Sequence, residues 1–192
     1  MTVPPLALAS ASPRRLELLR QIDIEPDRVV PAALDETPGA DELPAVYADR
    51  MALSKAEAVA ATNSDSFILA ADTVVSLGRR ILPKAETRDQ ALDCLQLLSG
   101  RRHRVIGGIA LLAPDGRQAR RRVTTVVQFK RLTPREIDAY IDSGEWQGKA
   151  GGYAIQGRAA AFIPWIRGSY SNVVGLALAE TAALLCGLGW KA

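Results

Sequence analysis

The residues whose types could do chemistry fall in a few separate stretches between Ser10 and Lys84, with one more beyond residue 145. In the first, an apolar run from Leu6 ends in Ala9-Ser10-Ala11-Ser12, and Pro13-Arg14-Arg15 and a leucine pattern follow directly. Small residues at a strand end let an anion approach the backbone. Ser12 suits a helix N-cap, and Pro13 suits the first helical position, where a missing N–H costs nothing. Such an N-terminus offers free N–H groups and partial positive charge. With Arg14 and Arg15 beside it, the stretch is a candidate site for a phosphorylated ligand; a plain strand–turn–helix with two solvated arginines is the alternative. Asp72 directly follows the apolar run that begins at Ser66, where a carboxylate is costly to desolvate unless it has a partner or a task. Ends of strands in α/β sheets are where ligands bind, although Asp72 could also serve only as a structural cap. Lys55, near the end of an apolar helical face, either snorkels outward or reaches a ligand. The loop Leu34–Glu42 carries Asp35, Glu36, Asp41 and Glu42, mostly solvated acids among which a cation ligand could stand. The single histidine, His103, excludes a multi-histidine metal site. A bound metal would be held by carboxylates, which points to Mg or Mn rather than Zn.

The elements that must position these groups are legible as patterns. The leucine pattern after Pro13 predicts a first helix, and Asp27–Ala33 a short strand. Leu43, Tyr47 and Met51 follow one i,i+4 line, with Val46 and Leu53 beside it, and predict a helix from Pro44 to about Ala61. Ser66–Val75 is the clearest buried strand. Gly78 marks a turn. Thr87 and Gln90 form a capping box for a helix with Ala91, Leu95 and Leu98 buried, stopped by Ser99-Gly100. Val105–Leu112 and Val123–Phe129 read as strands joined around Pro114-Asp115-Gly116. Thr133 and Glu136 form a second capping box, opening a helix that Ser143-Gly144 closes. Glu145–Gly157 is glycine-rich and polar, the character of a functional loop. Ala159–Ile166 and Ser171–Val174 suggest a last strand pair around Arg167-Gly168, and a terminal helix runs from about Leu178 to Leu188.

The chain has 192 residues, 48% hydrophobic and 23% charged, which suits one globular domain over residues 1–192 or two lobes sharing a core. No apolar run reaches the roughly 20 residues that cross a bilayer, and the start of the chain does not read as a signal peptide. The two cysteines, Cys94 and Cys186, lie in apolar helical patterns and are expected as buried free thiols in a reducing cytoplasm. A net charge of +3 decides nothing about nucleic acid. Arg117 and the run Arg120-Arg121-Arg122 are expected to guard a solvated sheet edge.

Taken in order, the stretches resemble the Maf proteins, nucleoside triphosphate pyrophosphatases also called septum-formation inhibitors. The resemblance is carried by Ser10-Ala-Ser12-Pro-Arg14-Arg15, Asp35-Glu36, Lys55-Ala56, Ala71-Asp72-Thr73-Val-Val, and Lys84 after Pro83. The helix Asp89-Gln90-Ala91 through Leu98-Ser99-Gly100, the stretch Gly148-Lys149-Ala150-Gly151 and the stretch Gly168–Gly175 extend it over nearly the whole chain. Lys149–Gly157, with Tyr153 and Gln156, resembles the branch acting on dTTP and UTP rather than a sister branch acting on 7-methyl-GTP. Two residues depart from the pattern: Arg158, where an apolar residue is expected, and Ala177, where a proline is common.

The resemblance implies a mixed twisted α/β sheet with flanking helices, in two lobes around a central nucleotide-binding groove, of the Maf and inosine triphosphatase-like kind, and a homodimer. It implies hydrolysis of dTTP and UTP, and of modified pyrimidine nucleotides, to monophosphate and pyrophosphate with a divalent cation, Mg or Mn. Arg14, Thr73 and Gln156 would set base preference, and Ser10, Arg15, Lys55 and Lys84 would surround the phosphates. Asp72 would accept a proton, with Glu36 a metal ligand beside it. Residue chemistry alone leaves Asp72 open as metal ligand or general base. Gln156 presents both a donor and an acceptor to a base edge. The partner expected is the nucleotide, with no stable nucleic acid and no membrane. The rivals are the same reaction on 7-methyl-GTP, and a non-catalytic nucleic-acid-binding or cell-division regulator using Arg120–Arg122 together with the basic first helix. The second lacks any nucleic-acid motif and, at 5% aromatic residues, the stacking surfaces that single-strand binders use.

Overall fold

The computed structural model describes residues 4–191; residues 1–3 and 192, which the one-domain reading includes, lie outside the described part. In chain order the first elements are β1 (Leu6–Ala9), α1 (Pro13–Arg20), β2 (Arg28–Val29), α2 (Pro44–Ala60) and β3 (Phe67–Leu77). Next come β4 (Arg80–Leu82), β5 (Lys84–Ala85), α3 (Arg88–Leu98), β6 (Arg102–Leu112) and β7 (Gln118–Gln128). The chain closes with α4 (Pro134–Asp142), β8 (Lys149–Ala150), a 3-10 turn (Arg158–Phe162), β9 (Trp165–Arg167), α5 (Tyr170–Val174) and α6 (Leu178–Gly187).

The apolar run around Ala70 becomes the centre of a mixed sheet ordered β2-β1-β3-β6-β7-β9. β1 is parallel to both β2 and β3, whereas β3, β6, β7 and β9 pair antiparallel. Side chains alternate across a strand, so β3 feeds both faces of the sheet. Phe67, Leu69 and Ala71 enter one core with α1 and α6, and Val75 enters another with α3 and α4. Thr73 falls on the same face, between the two cores. On the opposite face Ile68, Ala70 and Val74 meet α2. The two lobes are these two cores, side by side along one long sheet.

β6 lets helices come close on both faces. A Cβ at Gly107 would lie 2.1 Å from Asn172 Oδ1, and one at Gly108 would lie 2.2 Å from the Ala48 carbonyl oxygen. Both capping boxes form as expected, at Thr87–Gln90 and Thr133–Glu136.

The structure corrects five expectations. Asp72 is not at a strand end: β3 continues five residues beyond it by adding the β4 hairpin at Gly78. Ser12 occupies the N-cap position, but its side chain makes no capping bond. Residues 159–162 form a 3-10 turn and Ser171–Val174 lies in α5, so only β9 remains of the expected strand pair. The helix wins there because Ser169 Oγ accepts the Asn172 N–H at 3.1 Å, and the buried Asn172 amide donates to Val105 O and Thr125 Oγ1. Leu43 and Val46 are exposed, and the buried line of α2 runs through Tyr47, Met51 and Lys55. Cys186 is exposed, whereas Cys94 is buried and its thiol is pushed up to about 11 by burial. Arg120, Arg121 and Arg122 are exposed as expected, with Arg122 paired to Asp49 at 2.9 Å. No helix among the described residues is long and apolar enough to cross a membrane.

Candidate active site

A cleft of about 540 Å³ opens where one edge of β3 lacks a neighbouring strand. β1 pairs with β3 only through Ala70, and β4 takes up the same edge at Val75. Between them lie Asp72 and Thr73. The chain leaving β1 turns across this gap and starts α1, so Ser10, Arg14 and Arg15 are delivered to it. α2 brings Lys55 from one face, and the two-stranded ladder of β5 and β8 brings Lys84 and the 148–156 segment from the second lobe. The cleft lining includes Ser10, Arg14, Arg15, Glu36, Lys55, Asp72, Thr73, Lys84 and Gln156. The nine residues to which the resemblance gave roles thus share one cavity, whereas Asp35, Asp41 and Glu42 of the acidic loop are not in its lining.

Their contacts divide them. Lys55 and Asp72 are buried at 5% and 3% exposure. Lys55 Nζ donates to Asp72 Oδ1 at 2.6 Å and lies 2.7 Å from Glu36 Oε1. Lys84 Nζ donates to Glu36 Oε2. One ammonium therefore joins carboxylates from a loop and from the central strand. Partial burial raises the Glu36 carboxyl, but the bonds and charges of Lys55 and Lys84 outweigh it and bring the pKa down to about 2. The acidic loop is held by Tyr47, whose hydroxyl donates to Glu36 O at 2.6 Å. Burial, reinforced by the charges of Asp72 and Glu36, pushes that phenol up to about 12.

Arg15 is largely committed to the protein. Nε donates to Gly175 O at 2.9 Å, Nη1 to Ser10 Oγ at 3.0 Å, and Nη2 to Thr73 Oγ1 at 3.3 Å. Ser10 Oγ also accepts the Ser12 N–H at 3.1 Å. Thr73 Oγ1 donates to Gly175 O at 3.2 Å. Arg14 is the freer cation: its Nε is buried with no hydrogen-bond partner among the described residues, and burial lowers its pKa. Gln156 is exposed on the opposite wall.

Lys149 is the lining residue that sequence reasoning left without a role. Its Nζ donates to Gln147 O at 3.0 Å. Burial and the charge of Arg14 lower its pKa. The signal was its place in the Gly148-Lys149-Ala150 stretch, but nothing in the sequence tells which way that lysine points. Arg158 points away from the cleft: its N–H donates to Glu145 Oε2 at 2.7 Å, and its side chain stands 3.6 Å from Glu145 Oε1. An arginine is tolerated there because the position faces solvent.

The chain of a HAM1 protein from Coxiella burnetii superposes with a TM-score of 0.51 at 17% identity, over 95% of this chain and 98% of that one. This is a likeness of fold. Among sequences, a dTTP/UTP pyrophosphatase of Paramagnetospirillum magneticum is 64% identical over 96% of this chain and 97% of its own length. One of Rhodospirillum rubrum is 61% identical over 97% and 89%. One of Caulobacter vibrioides is 60% identical over 98% and 97%. The sequence profile of the Maf-like proteins matches residues 5–188. This chain belongs to the Maf family.

Proposed function

We propose that this protein hydrolyses dTTP and UTP, and modified pyrimidine nucleotides of the same shape, to the monophosphate and pyrophosphate. The observation that carries the reading is the junction at Lys55, where one buried ammonium meets Asp72 and Glu36 in a cleft lined by four further cations, Arg14, Arg15, Lys84 and Lys149. Five cations against two carboxylates suit a polyphosphate better than a neutral ligand. The identity to dTTP/UTP pyrophosphatases supports the base class.

In this reading Lys84 engages phosphate oxygens as a mobile point charge. Ser10 and Arg15 form the floor under the phosphates. Arg15, tied to Gly175, Ser10 and Thr73, sets the width of the floor rather than reaching out. Asp72 Oδ1 is held by Lys55, while Oδ2 makes no hydrogen bond to the described residues. Oδ2 is the atom that takes the proton of the attacking water as the bond between the α-phosphorus and the bridging oxygen breaks. The bridging oxygen leaves with pyrophosphate. Gln156 reads the base edge, with Thr73 and Arg14 bounding it.

Asp72 and Glu36 would also be the hard oxygen donors for a divalent ion: both carboxylates come to the junction at Lys55, and Asp72 Oδ2 would serve either as a ligand of that ion or as the proton acceptor. Among the described residues no group of three His, Cys, Asp or Glu side chains could enclose an ion alone. Mg or Mn would complete its shell with substrate phosphate oxygens and water, the usual arrangement for Mg. Bound there, it would supply Lewis-acid polarisation and a more acidic water. The homodimer implied by the resemblance and the cytoplasmic location implied by the cysteine usage belong to the same proposal; light scattering at micromolar concentration tests the first.

The test is pyrophosphate release from a panel of nucleoside triphosphates, 7-methyl-GTP included, with Mg or Mn, running Asp72→Asn beside the parent. Release from dTTP and UTP that falls at least 100-fold in Asp72→Asn is the expected result. A parent that releases nothing from any nucleotide overturns the reading.

A further inference from the structure

His103 takes no part in the hydrolysis just described, yet it is buried and polar. It sits on β6 opposite Val127, 2% exposed, inside the core of the second lobe. Its Nε2 lies 2.8 Å from the Tyr153 hydroxyl. The ring meets Phe129 edge-on at 5.2 Å and Tyr153 at 5.4 Å. Nδ1 is buried and has no partner among the described residues. A buried polar ring with one nitrogen unpaired costs more than phenylalanine would at the same place. Packing alone therefore gives no reason for histidine here; its one bond does.

That bond reaches the wall of the cleft. Tyr153 lines the cleft and stands three residues before Gln156. The segment between β8 and the 3-10 turn forms no helix or strand; Tyr153, Ala154 and Ile155 are buried, Tyr153 and Ile155 within the second-lobe core, and it begins with two left-handed glycines, Gly151 at φ +67° and Gly152 at φ +68°. Beyond the two-residue β5–β8 ladder, few bonds tie it to the lobe. Gly151 N–H donates to Pro83 O at 2.9 Å, and Ala154 N–H donates to the Tyr140 hydroxyl at 3.1 Å. The third is the Tyr153 hydroxyl on His103. Burial drives the Tyr153 phenol far above its usual range and pulls His103 down to about 4, so an uncharged imidazole faces an uncharged phenol at neutral pH.

We propose that His103 is a positioning residue for base selection: by holding the Tyr153 hydroxyl it fixes the 151–156 wall, and with it the place of Gln156. The inference rests on the nucleotide reading of the cleft.

The experiment compares His103→Phe, Tyr153→Phe, the double variant and His103→Gln with the parent. Phenylalanine keeps the aromatic packing and removes the bond; glutamine returns an amide near the position of Nε2. The expected result for His103→Phe is a KM for dTTP raised about tenfold with kcat within about twofold. Its preference for dTTP over purine triphosphates should narrow by a similar factor. The double variant should be no worse than either single one, the mark of two residues acting through one bond, and His103→Gln should recover at least half of the lost preference. Amide hydrogen exchange of the same proteins reads the wall directly, whether or not any nucleotide is hydrolysed. Exchange over 151–156 should quicken in His103→Phe while β3 and β6 stay protected. Unchanged exchange over 151–156 overturns the proposal, as does an unchanged KM and base preference in an active enzyme, or effects of the two single variants that add. A parent inactive on every nucleotide with faster exchange in His103→Phe would sink the nucleotide reading and leave the brace standing.

Discussion

Lys55 shows how one side chain can be both framework and chemistry. An ammonium with 5% exposure is tolerable only because two carboxylates meet it within 2.7 Å. Lys55→Met leaves Asp72 buried without its cation, and loss of one partner from a buried pair costs about 3–5 kcal/mol; urea unfolding at pH 7 measures it, and pyrophosphate release should fall with it. Glu36 gives a pH signature. Its carboxyl is held near pKa 2 in the folded protein against 4.5 ordinarily, so its contribution to stability is complete above pH 4.5 and is lost as the pH falls toward 2. Glu36→Gln should flatten the stability curve in that window when unfolding is followed by circular dichroism. His103 acts in a different window. Burial lowers its pKa from 6.5 to about 4, so the unfolded chain binds the proton first and stability falls as the pH drops below 6.5. Between pH 7 and 5 the loss is on the order of 2 kcal/mol. His103 is the single histidine, so His103→Phe should abolish most of it; a parent whose stability is flat from pH 7 to 5 would contradict the assignment.

At the scale of elements, two adjacent glycines on β6 decide how near α2 and α5 come. Gly108 lets the α2 backbone lie against the strand at Ala48, two turns before Lys55. Gly107 receives Asn172, the residue that ties α5 to β6 and β7. Gly108→Ala must lift α2 and swing Lys55 away from Asp72. We expect a loss of about 1–3 kcal/mol, with kcat for dTTP falling well beyond the stability effect. Gly107→Ala should cost similar stability but act through α5 and Gly175, loosening Arg15 rather than Lys55. Thermal melts paired with steady-state kinetics separate the two outcomes. The cap at Thr87 carries no such link to the cleft, so Thr87→Ala should cost about 1 kcal/mol and leave KM unchanged.

For the whole molecule, the cleft exists because two cores share one sheet and β3 is uncovered between them. Its walls come from both: α1 from the first lobe, and β5, β8 and the 148–156 segment from the second. A polyphosphate that touches both walls should stabilise the pair together. A bound nucleotide at 100 times its Kd adds about 2.7 kcal/mol, visible as a rise in Tm with dTTP that Asp72→Asn can retain and that the free base should not produce. Charge attraction across an open cleft is screened, with a Debye length of about 10 Å at 0.1 M salt and about 3 Å at 1 M. KM for dTTP should therefore climb with salt while kcat moves little.

Much of this was legible in the sequence. The buried run before Asp72, both capping boxes, the turns at Gly78 and Gly116 and the polar glycine segment after Glu145 are local patterns, set by neighbours within a few residues. The Maf-like motifs picked out nine residues that fall in one cleft, together with the chemistry expected of them. Tertiary structure alone decided what those residues touch. β3 runs on past Asp72 because β4 and β6 pair with it, and hydrogen bonds from distant strands leave no mark on the residues beside Asp72. The stretch after Gly168 becomes helical because Ser169 and the buried Asn172 are satisfied by β6 and β7, against a local β preference. Arg15 turns inward to Gly175, 160 positions away, while Arg14 beside it stays free. Lys149 and His103 were invisible as site residues for the same reason: their importance lies in direction and partner, which are set by packing across the chain and not by sequence spacing.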